Sequence, residues 1–528
     1  MLDRILNYRN AYLLGLCGVF FSLSVSVFVI STAEIFLALI WIAEGDYANK
    51  WKRLKSNRFA WLFMSLFLML VLGLSVTQNF DYALNDIRIK LPLLILPLFM
   101  ASYPPLKRGE QAVVGGFFLL GLLISTIFSY FRFLDLSQEL TMDVRESSAF
   151  ISHVRLSLML ALAIIGLVIT WFRNLRVTWA FPPIILLITW FLFILFRLQM
   201  ITGLALLGTA AFACIIWMVL RSSRPAVRWV GGGLLAFTLI SSGFYVHQVV
   251  GSFIHPDPSP PKNLVDREPT CKFRHSPERT QVENGHLVWA YMCDFEAEAS
   301  WEARSEYSFS GKGKTGEYIQ ATLYRFLASL NLTKDSAGIA QLSDKDIRAI
   351  EDGETNYLYA YKESLAKRIY GIAWELYGFA DEKYNPEGTS VGQRLEFWKA
   401  ARHVIQNHFW MGVGTGDVVD EMRGGYEATG SRMSKEYWLK PHNQYLTTWV
   451  CFGIIGLIWF VLVFAYPLKS AFKDPLILAF WLIVIGSMLT EDTLETQVGV
   501  TFVTAFFGLL VMANPKVNPK ELPSPDQE

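Results

Sequence analysis

The chain has 528 residues, of which 53% are hydrophobic and 15% aromatic, and its formal net charge is +1. Charged residues make up only 18%, below the roughly 25% of soluble globular proteins, and the near-neutral balance excludes the basic face that nucleic-acid binding requires. Charge is also segregated: long apolar runs alternate with short basic punctuation, and one block from about 248 to 438 reads as soluble protein.

A helix crossing the hydrocarbon core needs about 20 apolar residues. In chain order the candidate spans are about 11–26, 28–44, 59–77, 89–104, 112–131, 151–171, 178–196, 200–220, 228–248, 442–466, 474–491 and 497–513. No cleavable signal peptide is expected, because the apolar stretch from Ala11 to Ile42 is too long and lacks a cleavage site. Short cytoplasmic loops collect Lys and Arg. Numbered from a cytoplasmic N-terminus, the inside segments hold Arg4 and Arg9, the cluster from Lys50 to Arg58, Lys107 and Arg108, Arg173 and Arg176, Arg221 to Arg228, Lys469 and Lys473, and Lys516 and Lys520. The acidic turn Glu491, Asp492 and Glu495 falls outside. The expectation is an all-α integral membrane protein with about twelve transmembrane helices, both termini cytoplasmic, and a large, mainly helical periplasmic insertion between helices 9 and 10. Its parts are a membrane domain over 1–248, the insertion over 249–438, a second membrane part over 439–513 and a cytoplasmic tail over 514–528.

The insertion opens on His255-Pro-Asp-Pro-Ser-Pro-Pro261, an extended linker by composition. Cys271 and Cys293 lie in it, either as a disulfide or as two thiols; no CxxC or His-rich spacing suggests a metal. Glu317 to Leu330 is amphipathic, Ser343-Asp-Lys-Asp346 resembles a capping box, and Tyr357 to Tyr377 is an aromatic-rich helix. Ser390-Val-Gly-Gln393 opens a further helix to about Asn407, which Gly412, Gly414 and Gly416 end.

Four features there and nearby carry chemistry. On the last helix Arg394, Trp398 and Arg402 share a face, and guanidinium forks suit phosphate oxygens, though the same spacing suits a solvated helix face. Met411-Gly-Val-Gly-Thr-Gly416 can bring N–H groups near an anion, yet no Lys-Ser/Thr follows, so a helix stop with a turn is the simpler reading. In Pro441-His-Asn-Gln-Tyr445 a neutral histidine can accept a hydroxyl proton, or serve only as an interfacial polar residue beside Trp438 and Tyr445. Arg88, Arg155 and Arg197 flank or enter apolar segments, where charge faces a cavity or partner, or snorkels to the interface.

Taken together, these motifs resemble the O-antigen ligase and polymerase superfamily of bacterial envelope glycosyltransferases, with a GT-C-like membrane fold. The resemblance rests on Arg394-Leu-Glu-Phe-Trp-Lys-Ala-Ala, Gly412-Val-Gly-Thr-Gly-Asp417, His442-Asn-Gln-Tyr-Leu446 and Phe452-Gly-Ile-Ile-Gly-Leu457. Asp86-Ile-Arg-Ile-Lys-Leu-Pro92, Ser152-His-Val-Arg155 and Leu494-Glu-Thr-Gln-Val-Gly499 add to it. It implies a metal-independent, inverting transfer without cofactor in the bacterial inner membrane. A glycan leaves undecaprenyl diphosphate for an acceptor hydroxyl, that of a lipid A core sugar or another glycan, at the periplasmic face. By the same resemblance His442 is the base and Arg394 binds the diphosphate, with Arg402 on the same face. Gly412, Gly414, Gly416 and Asn443 shape the loop. The family's second arginine is absent: Met200-Ile-Thr-Gly203 puts Ile201 in its place, and Arg197 or Arg155 is expected to supply the charge. Polymerisation and protein O-glycosylation differ from ligation only in the acceptor; a transporter is the rival of another class.

Overall fold

A computed structural model describes residues 7–136, 144–173, 181–254, 272–276, 281–358, 360, 365–379 and 385–512. They are mostly helical and form two compact units. The first comprises Met1–Gln138, Asp143–Gly232 and Arg394–Glu528, the second Glu139–Met142 and Gly233–Gln393. The linker 255–261, Cys271 and the C-terminal tail from 514 lie outside the described residues.

Among the described residues six helices are long and apolar enough to cross a membrane: Val27–Glu44, Arg108–Leu136, His153–Arg173, Ile201–Arg221, Pro225–Gly251 and Gln444–Ala471. A seventh is reached if Tyr47–Ser56 and Arg58–Gly73, bent by 89°, count as one. The chain is thus a multi-pass membrane protein by its helices. The other expected spans fall on shorter apolar helices, among them Phe181–Arg197, Pro475–Thr490 and Gln497–Met512. The expected span 89–104 shows why. Pro92 has no N–H to continue helix Phe80–Lys90, and a separate helix, Pro92–Ser102, begins there. Its 11 residues rise about 16 Å, roughly half of a ~30 Å hydrocarbon core. Between the first two helices, Tyr8–Ser22 and Val27–Glu44, no polar loop is needed: Ser26 caps the second by accepting from the Val29 N–H.

The second unit packs around Trp301, Leu323, Tyr324, Phe326, Ile339 and Ile350. Ser343 and Asp346 form the reciprocal capping box expected for helix Asp344–Glu351. The aromatic-rich helix covers Leu365–Phe379 among the described residues, while 357–358, expected to open it, lies in a turn. A two-residue hairpin, Val282–Glu283 with His286–Leu287, turns at Asn284 and Gly285, both at positive φ, as a tight hairpin turn requires. Glu283 is fully buried and held by Arg325 at 2.6 Å, by Asn356 at 3.1 Å and by the Tyr370 hydroxyl. Cys293 is disulfide-bonded, whereas Cys17, Cys214 and Cys451 are free and buried.

Burial pushes the Lys334 ammonium in this unit down to about 7, against a weaker opposing pull from Asp335. Its Nζ donates to the Leu287 carbonyl at 3.1 Å. An unfolded lysine titrates near 10.5, so between pH 7 and that value the unfolded chain holds more protons and stability rises with pH. Below pH 7 both states are protonated and the full cost remains, on the order of a few kcal/mol. Lys334→Met is therefore expected to slow hydrogen exchange of the 281–358 peptides at pH 7, with the gain shrinking toward pH 10.

Candidate active site

Helix Ser390–Asn407 begins at the expected serine and carries Arg394 within its first turns. Phe397, Ala400, Ala401 and Val404 bury one side of it against Val418, Met422 and Tyr426. Beyond it the chain runs through Gly412 and Gly414, both at positive φ, to Asp417. The glycines admit a close approach rather than an anion. Val413 and Gly414 donate their N–H groups to the carbonyls of Val450 and Cys451 at 2.9 Å, and Gly416 donates to the Thr77 hydroxyl at 3.2 Å. A Cβ on Gly412 would lie 2.5 Å from the Cys451 carbonyl. Opposite, Gly453 breaks helix Gln444–Ala465 with φ of 65°, and a Cβ there would meet the Trp410 carbonyl oxygen at 2.1 Å. Gly453→Ala therefore suffers both a left-handed backbone and a clash. It is expected to cost more than about 3 kcal/mol, read as a fall in the unfolding temperature in detergent.

Asp417 fixes the next element. Its carboxylate accepts from the N–H groups of Gln78 and Asn79 at 2.8 and 2.7 Å, just before helix Phe80–Lys90.

His442 enters helix Gln444–Ala465 with φ of 48°, a conformation costly for a non-glycine residue. Its backbone N–H donates to Asp492 Oδ2 at 3.0 Å, and Asp492 Oδ1 accepts from the Thr447 hydroxyl at 2.6 Å. Asn443 caps the helix, accepting from Tyr445 and Leu446 and donating to the Leu489 carbonyl. Trp398 donates its indole N–H to the Pro441 carbonyl at 3.1 Å, and Tyr426 its hydroxyl to that of Leu439 at 2.7 Å. The imidazole rests against Phe397 with centroids 5.4 Å apart, and its Nδ1 lies 3.4 Å from Glu491 Oε2. With Nδ1–H given to that carboxylate, Nε2 holds the lone pair, and a third of the side chain is exposed (34%).

The other oxygen of Glu491 takes Arg394: Nη2 donates to Oε1 at 3.0 Å, and Nε to the Thr490 carbonyl at 3.2 Å. One carboxylate thus joins the two residues of the sequence motifs. Burial pushes the Glu491 carboxyl up, but the His442 hydrogen bond and the charges of His442, Arg394 and Arg155 outweigh it and hold it below the usual carboxylate range. Arg155, in the first turn of helix His153–Arg173, reaches the site through its charge; its Nη1 donates to Ser152 at 2.8 Å and its Nε is buried with no hydrogen bond among the described residues.

Among the described residues Arg197 makes no hydrogen bond or ion pair with His442 or Glu491, and the carbonyl of the next residue, Leu198, accepts from His153 Nε2 at 2.8 Å. Arg197 ends helix Phe181–Arg197, is exposed, and lies over the Phe133 ring at 4.6 Å. Gln199 at φ 50° separates it from helix Ile201–Arg221, so Arg197 and Ile201 do not share a helix face. Arg402 is exposed two turns beyond Arg394. Among the described residues no hydrogen bond or ion pair ties either to His442 or Glu491, and no group of three or more His, Cys, Asp or Glu is arranged to hold a metal ion.

The residues that reading the sequence missed are carboxylates and their partners: Glu491, Asp492, Glu495, Lys440 and Thr447. Their signal was present. An acidic turn between two apolar segments must face either solvent or buried cations, and here it does the latter. Residues 348–461 match the family model described as O-Antigen ligase; no curated protein matches the chain. Arg394, the glycine loop and His442 all fall within the matched stretch, and that stretch matches the O-antigen ligase superfamily.

Proposed function

We propose that the chain is an O-antigen ligase that transfers a glycan from undecaprenyl diphosphate to a hydroxyl of the lipid A core at the periplasmic face of the inner membrane. The acceptor oxygen attacks the anomeric carbon, and the bond from that carbon to the diphosphate breaks. The electron pair leaves on the diphosphate oxygen, and the acceptor proton passes to His442 Nε2. A single displacement of this kind inverts the anomeric centre. Diphosphate is already a good leaving group, so the reaction asks mainly for a base and for cations placed where charge develops. Arg394 and Arg155 supply those near the base; Arg197 and Arg402 extend the path for the donor headgroup.

The observation that carries this reading is the Glu491 carboxylate, shared between Arg394 Nη2 and His442 Nδ1. It holds the imidazole in the tautomer whose Nε2 accepts a proton, as a carboxylate does for a catalytic histidine generally. In the test, purified protein is given a defined lipid-diphosphate-linked glycan and candidate acceptors. Transfer to lipid A core, unchanged by chelator, is expected; headgroup movement across liposomes without transfer would identify a transporter instead. In cells, a deletion mutant is expected to lose all long chains from core while retaining lipid-linked polymer. Core bearing a single repeat would indicate a polymerase, and lost glycoproteins with a normal ladder a protein glycosyltransferase.

Arg394→Lys keeps the charge and loses the planar fork. It is expected to cut kcat/KM by about a hundredfold, measured in the same transfer assay.

A further inference from the structure

Behind His442 lies a largely buried chain of four charges that the proposed reaction does not use. Lys90 Nζ donates to Asp86 Oδ2 at 2.8 Å and to Glu495 Oε1 at 2.6 Å, and Lys440 Nζ donates to Glu495 Oε2 at 2.5 Å. Side-chain exposure is 7% for Lys90 and 9% for Glu495. Two cations meet two anions, as burial demands, since an unpaired charge there is strongly destabilising. Burial pushes the Glu495 carboxyl up, but the two lysines outweigh it and hold it well below the usual range. These charges border a cavity of about 40 Å³ shared with Gln444, Thr447 and Thr448, room for a few water molecules.

The charge chain is connected to His442 on both sides. Lys440 precedes it by two residues. Gln444 follows by two, accepts from the Leu494 N–H at 2.7 Å and donates to Glu495 Oε1 at 3.4 Å. Glu495 is the only member gripped by both lysines, one from helix Phe80–Lys90 and one from the segment that carries His442. That segment also holds the strained backbone at φ 48°, which persists only if its surroundings over-determine it.

We propose that Glu495 is a positioning residue for His442: by clamping Lys440 and Gln444 to Lys90 it fixes the left-handed turn that presents the imidazole. The proposal rests on His442 being the base, but its test has a readout of its own. In the full-length protein, the rate at which diethyl pyrocarbonate modifies His442, followed by mass spectrometry, reports the ring's placement without any donor. Glu495→Gln is expected to raise that rate about threefold or more and to lower kcat about tenfold or more, with the donor KM changed little. Lys90→Met added to Glu495→Gln leaves Asp86 facing Lys440 and restores charge balance. The double variant is expected to regain unfolding temperature but neither kcat nor protection of His442. Recovery of kcat in the double variant would mean that Glu495 only balances charge, and an unchanged modification rate in Glu495→Gln would overturn the clamp. Should Glu495→Gln fail to fold, Lys440→Met severs the same link from the other side and is read against the same outcomes. If wild-type protein transfers no glycan while Glu495→Gln still exposes His442, the reading of His442 as base fails and the clamp stands.

Discussion

Transfer is expected to cease when His442 is replaced by alanine, with rates falling about 10³-fold or more, while expression and membrane insertion stay normal. The size follows from what the residue supplies. Removing the proton in the transition state is worth typically 10²–10⁴-fold, and the carboxylate on Nδ1, that of Glu491, is already engaged by Arg394. The fold should tolerate the change, because His442 contributes its backbone N–H to Asp492, which alanine retains, and a third of the side chain is already exposed. The left-handed backbone is somewhat costlier for alanine than for histidine, a small loss that leaves the fold intact. Substantial residual transfer by His442→Ala protein of normal yield would remove it from the role of base.

Glu491→Gln is expected to be nearly as damaging, and for a reason that separates it from a packing defect. Glutamine is close to isosteric, but its amide presents one acceptor and one donor where the carboxylate offers two acceptors. It can serve Arg394 or His442, not both. If the amide nitrogen turns to the imidazole, Nδ1 becomes the acceptor and Nε2 carries the hydrogen, the tautomer that cannot take a proton. A loss of about 10²–10³-fold in kcat follows. Glu491→Asp keeps the charge on a shorter stem and should recover part of it. Equal losses for the two variants, measured on protein of equal unfolding temperature, would show that charge at this position is irrelevant.

Local features of the fold were legible because local physics decides them. The helix from Ser390 to Asn407, the capping box at Ser343 and Asp346 and the chain reversal at Gly412 and Gly414 each follow from residues within a turn of one another. Spans were harder. Hydropathy over 89–104 has no means of registering that Pro92 ends one helix and begins another, and the run from Gln444 hides the break at Gly453 inside unbroken apolar sequence. The site was half legible. Arg394 and His442 stand out by type and motif, but what unites them is Glu491, 49 residues from one and 97 from the other. No periodicity encodes a pairing at that distance, and the acidic turn read simply as the outer end of a hairpin. Lys90 and Lys440 do not stand out in the sequence for the same reason: their partner Glu495 is remote.

That turn deserves a comparison with surface loops elsewhere, which absorb insertions and deletions readily. Within five residues, Glu491 meets a side chain of the site, Asp492 a backbone N–H and a hydroxyl, and Glu495 two lysines. Adding or removing one residue would present each anion to its neighbour's partner, so three unrelated requirements would fail at once. Its length is thus under tighter constraint than that of the helices it joins. A library of chains with insertions at every position should find this short hairpin as intolerant as the apolar core.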